Sequence, residues 1–527
     1  MLIIELNKAN YEYDVNSLVR AFYPGETVTI LTPESTPPRR QQTTEEQENR
    51  QSAGESLLSV CIDMADDGAE VRFGENTYVW QYGKSCGGQT GQSNEARSWL
   101  EGQTILGTDE TLCDQPPKRN FDSDYKHEFK RFLYRTLSEY TGKKLPWGSL
   151  TGIRPTKIAY GMLDQGRSEQ EILDTFEHYY QTSREKALLG LDIAKREREI
   201  LQDVDCGQGY SLYIGIPFCP TTCLYCSFTS YPIGGYRKVV DSYIDCLIKE
   251  MKFVSKRLAG QVTDSVYFGG GTPTTLEPEQ LDRLLSALKK HFDFDRVKEF
   301  TVEAGRADSI TRAKLEVLHR HGVDRISVNP QTMKQETLDV IGRKASVEQV
   351  VAAYGLAREV GFTNINMDLI LGLPGETEDD VQNTVDRVVE LAPDSLTVHS
   401  LAIKRASHLS QWIQENGIQT LRNTDATMAI ARAGAEKLGM VPYYLYRQKN
   451  MSGNFENVGY AKPGKYGLYN ILIMEEVQTI VALGAGSISK RVYPDGRIER
   501  CDNVKDVAQY IERIDEMIER KRGLFSD

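Results

Sequence analysis

The stretch Leu212-Tyr-Ile-Gly-Ile-Pro-Phe-Cys219-Pro-Thr-Thr-Cys223-Leu-Tyr-Cys226-Ser-Phe228 joins an apolar run to three closely spaced cysteines. The apolar run predicts a β-strand, and the cysteines follow it in the spacing C-x3-C-x2-C. A loop of this length can turn all three thiols toward one centre. The first residues, Met1-Leu-Ile-Ile-Glu-Leu-Asn, lack the basic and long apolar parts of a secretory signal, so we expect a cytoplasmic, reducing location. Close cysteines there indicate a metal centre rather than disulfides.

The cysteine spacing favours an iron–sulfur cluster. Such clusters usually take four thiolates, and three local ones leave the fourth iron open to a ligand from outside the chain. The amino and carboxylate groups of S-adenosylmethionine (SAM) suit that position, and one-electron reduction then cleaves its C–S bond. A structural zinc site is the alternative, but zinc needs a fourth ligand, and no histidine is close to the motif in sequence. We expect the scattered cysteines to be buried, apolar residues: Cys61, Cys86, Cys113, Cys206, Cys246 and Cys501.

Downstream of residue 212, short apolar runs alternate with amphipathic stretches. Strands are predicted at Leu212–Pro217, Ser265–Gly269, Glu299–Ala304, Arg325–Asn329, Asn364–Leu371 and Ser395–Ala402. Helices are predicted near 241–258, 277–291, 311–321, 346–360 and 377–391. Regular βα alternation implies parallel pairing, so the fold class is α/β with a barrel-like or doubly wound sheet. Beyond residue 405 we predict a helix at Thr424–Leu438, Tyr/Gly-rich strands to about 500 and a charged helix to 522.

Glycines and polar residues gather at the carboxyl ends of these strands, where α/β folds bind ligands. Gly269, Gly270 and Gly271 end the second strand, and glycines there let the backbone approach a ligand closely. Four polar residues lie in or follow the later strands: Glu303 ends the third, Gln331 and Arg343 follow the fourth, and Asp368 interrupts the fifth. A carboxylate suits ribose hydroxyls, and an arginine suits the SAM carboxylate. Taken singly, each is more often a cap or a solvated loop residue, but a carboxylate inside the apolar Asp368 strand is costly without a partner.

The chain has 527 residues, a length that predicts two or three domains. Its formal net charge is −12. The acidic balance disfavours a nucleic-acid partner. The sequence contains no run of about 18 apolar residues, the length that predicts a transmembrane helix, so no membrane partner is expected. We predict a small α+β N-terminal domain, a helical connector, a cysteine-containing α/β domain and a C-terminal domain, over 1–120, 121–205, 206–404 and 405–527.

The N-terminal 200 residues carry no motif of comparable specificity. Residues 1–30 alternate apolar and polar positions, which predicts short strands, and strand patterns resume at Leu57–Asp63 and Glu70–Tyr82. Residues 33–55 are polar and Pro-containing, which predicts a long loop or disordered insert. The basic, Gly- and Thr-rich stretch Trp147–Lys157 suggests either an anion contact or, more simply, a capped turn into a helix that begins near Pro155.

With these motifs in order, residues 211–500 resemble the radical SAM family of oxygen-independent coproporphyrinogen III oxidases (coproporphyrinogen dehydrogenases) and their relatives. The carrying motifs are Ile-Pro-Phe-Cys-x3-Cys-x2-Cys, Phe-Gly-Gly-Gly-Thr-Pro-Thr, the Glu303 strand, Arg-Ile-Ser-Val-x-x-Gln, Asn-x-Asp-Leu-Ile-x-Gly-Leu-Pro-Gly-Glu-Thr and Gly-Ala-Gly-Ser-Ile-Ser. The long N-terminal extension resembles the branch from Gram-positive bacteria. The resemblance implies a radical SAM partial (β/α)6 TIM-like barrel, an α+β N-terminal domain and a C-terminal α/β cap.

The resemblance also implies an activity. A radical derived from SAM takes hydrogen from a porphyrinogen propionate, CO2 leaves and a vinyl group remains, which turns coproporphyrinogen III into protoporphyrinogen IX in anaerobic haem synthesis. The implied cofactors are a [4Fe–4S] cluster and one or two molecules of SAM. The implied partners are a small-molecule tetrapyrrole substrate and an electron donor of unknown identity.

Site residues follow from the resemblance position by position, although no catalytic side chain is identified. The cluster ligands are Cys219, Cys223 and Cys226. Contacts of the first, cluster-bound SAM are Tyr213, Gly270, Glu303 and Ile488. Contacts of a second SAM are Tyr225, Gly271, Thr272, Gln331, Arg343, Asp368 and Ala402.

Two positions depart from the oxidase pattern. Phe228 stands where the oxidases have a further cysteine, and Gly215 stands where they have a histidine. Phenylalanine is what the haem-trafficking relatives show, but their His-Asn-x-x-Tyr-Trp motif is missing from the stretch that begins at Asn450. A haem-binding trafficking protein and another tetrapyrrole-modifying radical SAM enzyme therefore stay open as alternatives. Three C-terminal cations, Arg405, Arg447 and Lys449, and the aromatic run from Tyr443 suggest either a porphyrin pocket or ordinary sheet packing.

Overall fold

The computed structural model describes residues 1–35, 58–82, 121–152, 154–404, 407–448 and 451–526. These residues form two compact units. The N-terminal unit contains Met1–Thr151 and Leu173–Ala187, and the main unit contains Gly152–Ile172 and Leu188–Asp527. The four-segment division drawn from the sequence is finer than this and stays a prediction. Most of the predicted polar insert at 33–55 lies outside the described residues.

The N-terminal unit is α+β, as the sequence predicted, with one five-stranded sheet in the order β2-β1-β3-β4-β5. Strand β1 pairs parallel with β2 and β3, and β3, β4 and β5 pair antiparallel. The elements are β1 (Leu2–Leu6), α1 (Glu12–Phe22), β2 (Val28–Leu31), β3 (Leu58–Met64), β4 (Gly68–Phe73), β5 (Asn76–Gln81) and α2 (Phe121–Thr141).

Helix α1 corrects one expectation, because residues 1–30 were predicted to form only strands. Its buried residues are Val15, Leu18, Val19 and Phe22. This spacing of three and four residues places them on one face of a helix. That face packs in a core shared with the sheet and α2, and Phe22 and Phe129 are fully buried there.

The main unit is built on one sheet of eleven strands in the order β14-β15-β13-β12-β11-β10-β9-β6-β16-β17-β18. Its strands are β6 (Tyr210–Ile216), β7 (Phe218–Cys219), β8 (Tyr231–Pro232), β9 (Thr263–Gly270), β10 (Glu299–Gly305), β11 (Arg325–Val328), β12 (Ile365–Leu371), β13 (Ser395–Ser400), β14 (Val441–Tyr446), β15 (Asn457–Ala461), β16 (Thr479–Leu483), β17 (Ile488–Val492) and β18 (Ile498–Asp502). The short strands β7 and β8 form a separate parallel pair.

Strands β6 and β9 to β13 are the six parallel strands that the sequence predicted, each within two residues at either end. They follow one another across the sheet in chain order, so their carboxyl ends meet at one edge. On the outer side of β13 lie the antiparallel strands β15 and β14. On the outer side of β6 lies β16, which is parallel to β6, followed by the β17–β18 hairpin. The parallel run therefore forms an open, partial barrel rather than a closed one.

The helices complete the alternation. They are α3 (Thr156–Asp164), α4 (Glu169–Asp174), α5 (Arg184–Leu201), α6 (Val240–Arg257), α7 (Pro278–His291), α8 (Arg312–Arg320), α9 (Gln335–Val340), α10 (Val347–Val360), α11 (Glu378–Leu391), α12 (Leu409–Asn416), α13 (Asp425–Lys437), α14 (Leu468–Glu475), α15 (Val507–Glu512) and α16 (Ile514–Leu524). The five predicted crossover helices are confirmed within one residue. Among the described helices, none is long and apolar enough to cross a membrane.

The basic stretch that ends at Lys157 enters helix α3, as the simpler interpretation predicted, with Pro155 at its N-cap position. The Arg154 guanidinium contacts the Glu476 carboxylate at 2.7 Å and donates to the Met474 carbonyl at 2.6 Å. This arginine therefore binds groups of the chain itself and is not held open for an external anion.

A fully buried ion pair ties the last helix to the main unit. The Lys521 ammonium on α16 lies 2.7 Å from the Glu250 carboxylate on α6, and neither side chain is exposed. Glu250 also accepts hydrogen bonds from Asn503, Tyr510 and the backbone of Gly484. Because Gly484 opens the loop before β17, the ion pair supports that loop as well as the helix.

We expect Lys521→Met to lower the free energy of unfolding of the main unit by about 3–5 kcal/mol, because it leaves a buried carboxylate without its cation. Denaturant unfolding followed by circular dichroism measures the effect. The control is Arg522→Met, since Arg522 is largely exposed and its contacts with Glu519 and the Phe253 ring lie at the surface. Equal stability of the two variants would show that Glu250 does not need Lys521.

A second buried acid has no such partner. The Glu197 side chain on α5 is fully buried, and within the described chain both of its carboxylate oxygens lack a hydrogen bond. Burial, together with the neighbouring Glu475 carboxylate, raises the pKa of Glu197 well above its usual value. The buried carboxyl is therefore held in its neutral form at pH values where an exposed glutamate is ionised.

This raised pKa gives a pH-dependent cost. Glutamate in the unfolded chain ionises at about pH 4.3. Between that pH and the raised pKa of the folded state, ionisation favours the unfolded chain, so the stability of the wild type falls as the pH rises. Glutamine cannot ionise, so we expect Glu197→Gln to raise the midpoint of thermal unfolding, and by more at pH 8 than at pH 5. Glu199→Gln, at an exposed position of the same helix, is the control. A gain that is the same at both pH values would contradict the expectation.

Candidate cluster and SAM site

The cysteine loop is held at the edge of the sheet by backbone contacts. It leaves β6 at Ile216, and the Gly271 amide donates to the Ile216 carbonyl at 2.8 Å. The Thr272 amide donates to the Phe218 carbonyl at 2.7 Å. A Cβ atom on Gly271 would lie 2.6 Å from the Phe218 oxygen, so only glycine permits this approach. The glycine run that the sequence pointed to therefore positions the cysteine loop directly.

The three cysteines occupy different surroundings within this loop. The Cys219 sulfur accepts from the Thr272 hydroxyl at 3.5 Å, and the Cys226 sulfur lies 3.8 Å from the Ser230 hydroxyl. The buried Cys223 sulfur accepts from Nη1 of Arg306 at 3.8 Å. Burial, and then the nearby Cys226 and Cys223, raises the pKa of Cys219 to about 11. A cation that binds this thiol must therefore displace its proton.

The donor set fits a multi-iron cluster with three protein ligands. All three sulfurs lie in one loop, and their side-chain neighbours among the described residues include hydroxyls and guanidinium groups. In the described part of the chain, no three His, Cys, Asp or Glu side chains are grouped tightly enough to hold a single metal ion. A cluster distributes its thiolates over several irons, so it needs a wider arrangement than a single ion does.

The predicted first SAM site brings its strand-end residues together. Gly270 has a positive φ of 103°, and a Cβ there would lie 3.0 Å from the Tyr213 hydroxyl. The Tyr267 hydroxyl donates to the Glu303 carboxylate at 2.5 Å. Burial and the charge of Asp368 raise the pKa of Glu303 to about 7, against the lowering effect of the Tyr267 and Gly270 hydrogen bonds. Tyr267 and Gly270 use two of the roughly four acceptor positions of a carboxylate, so Glu303 can accept further donors such as ribose hydroxyls.

The predicted second SAM site forms a separate group. The Arg343 guanidinium donates to the Tyr225 hydroxyl at 3.3 Å and to the Asn329 carbonyl. Gln331 has a left-handed φ of 67°, and its buried side-chain oxygen has no partner among the described residues. The Gln331 amide donates to the Asp368 carbonyl at 2.9 Å, which places these two residues side by side.

Asp368 has the partners that its buried position requires. Asn366 donates to the Asp368 carboxylate at 2.7 Å, and the His399 ring lies 3.9 Å away. Burial acts to raise the pKa of Asp368, but His399 and Asn366 together hold it below its usual value. The structure places the last two predicted contacts on C-terminal elements: Ala402 pairs with Met451, and Ile488 begins β17.

A cavity of about 200 Å³ lies between the cysteine loop and the loop before β17. Its lining includes Tyr213, Gly270, Phe228 and Gly486. Phe228, one of the two residues that depart from the oxidase pattern, is 74% exposed and therefore stands at the opening of this cavity. Gly215 also lines it, and a Cβ there would lie 3.1 Å from the Leu483 carbonyl oxygen of β16.

The C-terminal aromatic run favours ordinary packing. Tyr443 and Tyr444 are buried in a hydrophobic cluster with Leu472. The Arg447 guanidinium donates to the side chain of Asn454 at 2.8 Å and to its carbonyl at 3.2 Å. Arg405 and Lys449, the other two cations of the suggested porphyrin pocket, lie outside the described residues.

Three residues at the site were not predicted from the sequence. Tyr469 on α14 stacks on Tyr267 with ring centroids 4.5 Å apart, and no local pattern predicts a contact over that chain distance. Tyr267 lies two residues before Gly269, so strand periodicity could have placed it on the same face. Arg306 directly follows β10, and α/β folds gather ligand-binding polar residues at such strand ends.

Comparisons with known proteins agree with this arrangement. The family model described as "Radical SAM superfamily" matches residues 213–388. A relative from Bacillus subtilis (strain 168), "Oxygen-independent coproporphyrinogen-III oxidase-like protein HemZ", is 42% identical over 413 residues, which cover 76% of this chain and 82% of the relative. A "Heme chaperone HemW" of the same organism is 35% identical over 195 residues, covering 37% of this chain and 51% of the chaperone.

The oxidases themselves are also similar. The "Oxygen-independent coproporphyrinogen III oxidase" of Escherichia coli (strain K12) is 35% identical over 192 residues, covering 36% of this chain and 42% of that enzyme. A solved structure of coproporphyrinogen III oxidase (HemN) from Escherichia coli aligns with 61% of this chain and 73% of its own, at 25% identity and a TM-score of 0.48. The chain therefore belongs to the radical SAM family of oxygen-independent coproporphyrinogen III oxidases and their relatives, and its cofactors are a [4Fe–4S] cluster and SAM.

Proposed function

We propose that this chain converts propionate side chains of coproporphyrinogen III to vinyl groups by oxidative decarboxylation. The observation that carries the substrate is the match to an oxidase-like relative over 82% of that relative's length. The geometry supports the radical chemistry, because the cysteine loop and the hydrogen-bonded pair Tyr267 and Glu303 lie at the same edge of the parallel sheet. For each propionate, one hydrogen atom, one electron and CO2 leave the side chain, and a double bond forms between its two remaining carbons.

In this proposal Cys219, Cys223 and Cys226 hold the cluster. When bound, the cluster and SAM together supply a radical that abstracts hydrogen. The half-buried loop limits the access of water to the sulfurs, and the Gly270–Thr272 backbone fixes where they stand. The Glu303 carboxylate accepts hydroxyl donors of SAM, and its hydrogen bond from Tyr267 sets its orientation.

The second group, Tyr225, Gln331 and Arg343, supplies an amide oxygen and a guanidinium for a second SAM or for another carboxylate ligand. Gln331 supports this assignment, because a buried amide oxygen without a partner is costly unless a ligand donates to it. Asp368 stays ionised beside it, since its pKa is lowered. A cation such as the sulfonium of SAM suits this carboxylate.

The position of the cysteine loop is tested by Gly271→Ala. The added methyl would meet the Phe218 carbonyl, so we expect the loop to shift and the iron and sulfide content after anaerobic reconstitution to fall severalfold below wild type. The control is Gly234→Ala, because a Cβ on Gly234 meets no atom within 4 Å. Full iron content in the Gly271 variant would show that this close approach does not set the cluster site.

The activity is tested anaerobically with reconstituted protein, coproporphyrinogen III, SAM and dithionite. We expect the product mass to fall by CO2 and two hydrogen atoms for each propionate converted, with 5′-deoxyadenosine formed alongside. Cys223→Ser should abolish both products, whereas Cys206→Ser, a half-buried cysteine outside the loop, should keep them. Cleavage of SAM with an unchanged tetrapyrrole would contradict the substrate assignment.

Two other results would identify the alternatives. A haem-trafficking role is favoured by the match to the heme chaperone, and it would appear as stoichiometric haem binding without loss of CO2. A gain of a methyl group, or another mass change, would indicate a different tetrapyrrole modification. The same mass spectra and a haem titration separate all three functions.

A further inference from the structure

Arg306 stands directly behind the cysteine loop and has no role in the assignments above. It follows the last residue of β10, so it lies at the same sheet edge as the loop. Only 4% of its surface is exposed. A guanidinium keeps its charge at any working pH, so its burial here requires compensating partners.

All three nitrogens of the guanidinium donate hydrogen bonds to these partners. Asp308 accepts from Nε at 3.0 Å and from Nη2 at 2.7 Å, which fixes the plane of the group. The remaining nitrogen, Nη1, donates to Thr221 at its carbonyl and hydroxyl oxygens, 3.1 and 2.7 Å away. The same nitrogen lies 3.8 Å from the Cys223 sulfur. Asp308 thus directs one charged donor into the cysteine loop.

The three cysteines have unequal neighbours. Cys219 and Cys226 lie beside the hydroxyls of Thr272 and Ser230, whereas Cys223 lies beside charged N–H groups of Arg306 and of Arg343. Hydrogen bonds from charged donors are roughly twice as strong as those between neutral groups. Hydrogen bonds to the sulfurs are also among the factors that set the reduction potential of an iron–sulfur cluster.

We propose that Arg306 is a positioning residue that donates to the Cys223 thiolate and thereby raises the reduction potential of the cluster. The inference rests on the proposed cluster ligands. A reduced cluster carries one more electron than an oxidised one, so a fixed cationic donor stabilises the reduced form more. The electron comes from a low-potential one-electron reductant, and the change eases the reduction that precedes SAM cleavage.

A residue that only held the loop in place would behave differently. Its loss would lower the amount of cluster bound but would leave the potential of the remaining cluster unchanged. Thr221 offers this comparison, because it receives the Arg306 bond and itself donates to the Gly342 carbonyl at 2.9 Å. Thr221→Ala should therefore loosen the loop while keeping the Arg306 charge, its Asp308 partner and its bond to the Thr221 carbonyl.

The experiment is a redox titration of each reconstituted protein, with dithionite as reductant and the reduced cluster counted by electron paramagnetic resonance. We expect Arg306→Gln to lower the ratio of reduced to oxidised cluster about tenfold at a fixed solution potential, equivalent to about 59 mV for one electron. Arg306→Lys keeps the charge and should fall between this variant and wild type. The control is Arg312→Gln, because Arg312 is an exposed arginine on α8 that pairs with Glu359 on α10, and this variant should match wild type.

Asp308→Asn tests for the opposite change in the reduction potential of the cluster. It removes the carboxylate that offsets the guanidinium charge, so we expect the reduced fraction to rise above wild type. This variant decides the question even if Arg306→Gln binds no cluster. An unchanged potential in Asp308→Asn, or in a fully loaded Arg306→Gln, would overturn the inference while leaving the proposed function intact. Failure of the wild-type chain to form any [4Fe–4S] cluster would instead contradict the proposed function.

Discussion

The site depends on two strand ends that run within hydrogen-bond distance of each other. Gly271 and Thr272 donate to the carbonyls of Ile216 and Phe218, and this contact continues the β6–β9 ladder past the sheet edge. The path of the cysteine loop is therefore set by backbone groups rather than by side chains. Backbone contacts of this kind are insensitive to most substitutions, but they fail at the position where any Cβ atom would intervene. The geometry of three thiols thus rests on the absence of one methyl group.

Two buried acids at this edge of the sheet have pKa values that are shifted in opposite directions. Glu303 and Asp368 are both buried carboxylates, yet the pKa of Glu303 is raised and that of Asp368 is lowered. The difference arises from their partners, because Asp368 has His399 and Asn366, whereas Glu303 has the neutral phenol of Tyr267. Two acids of similar chemistry are thus given different protonation near neutral pH. The partners that set these two pKa values all belong to the chain itself.

Much of the fold could be predicted from local patterns, because the six parallel strands and their helices alternate with clear hydrophobic periodicity. Topology indicated which residues stand at the strand ends, and their assigned roles came from the family resemblance and stay predictions. What could not be predicted depends on long-range packing. The pairing of β16 with β6 joins residues about 270 positions apart, and Tyr469 reaches Tyr267 from a helix with no motif of its own. Helix α1 was missed because its short apolar pattern also fits alternating strands, a common ambiguity over a few residues.

The crowding of Gly215 against β16 constrains how this sequence can evolve. A histidine at position 215, as the oxidase pattern has, would bring its Cβ to 3.1 Å from the Leu483 carbonyl oxygen. The neighbouring strand comes from the far end of the chain, and it would have to give way by a few tenths of an ångström to accept any side chain at position 215. What this position tolerates is therefore decided by a strand about 270 residues further along the chain.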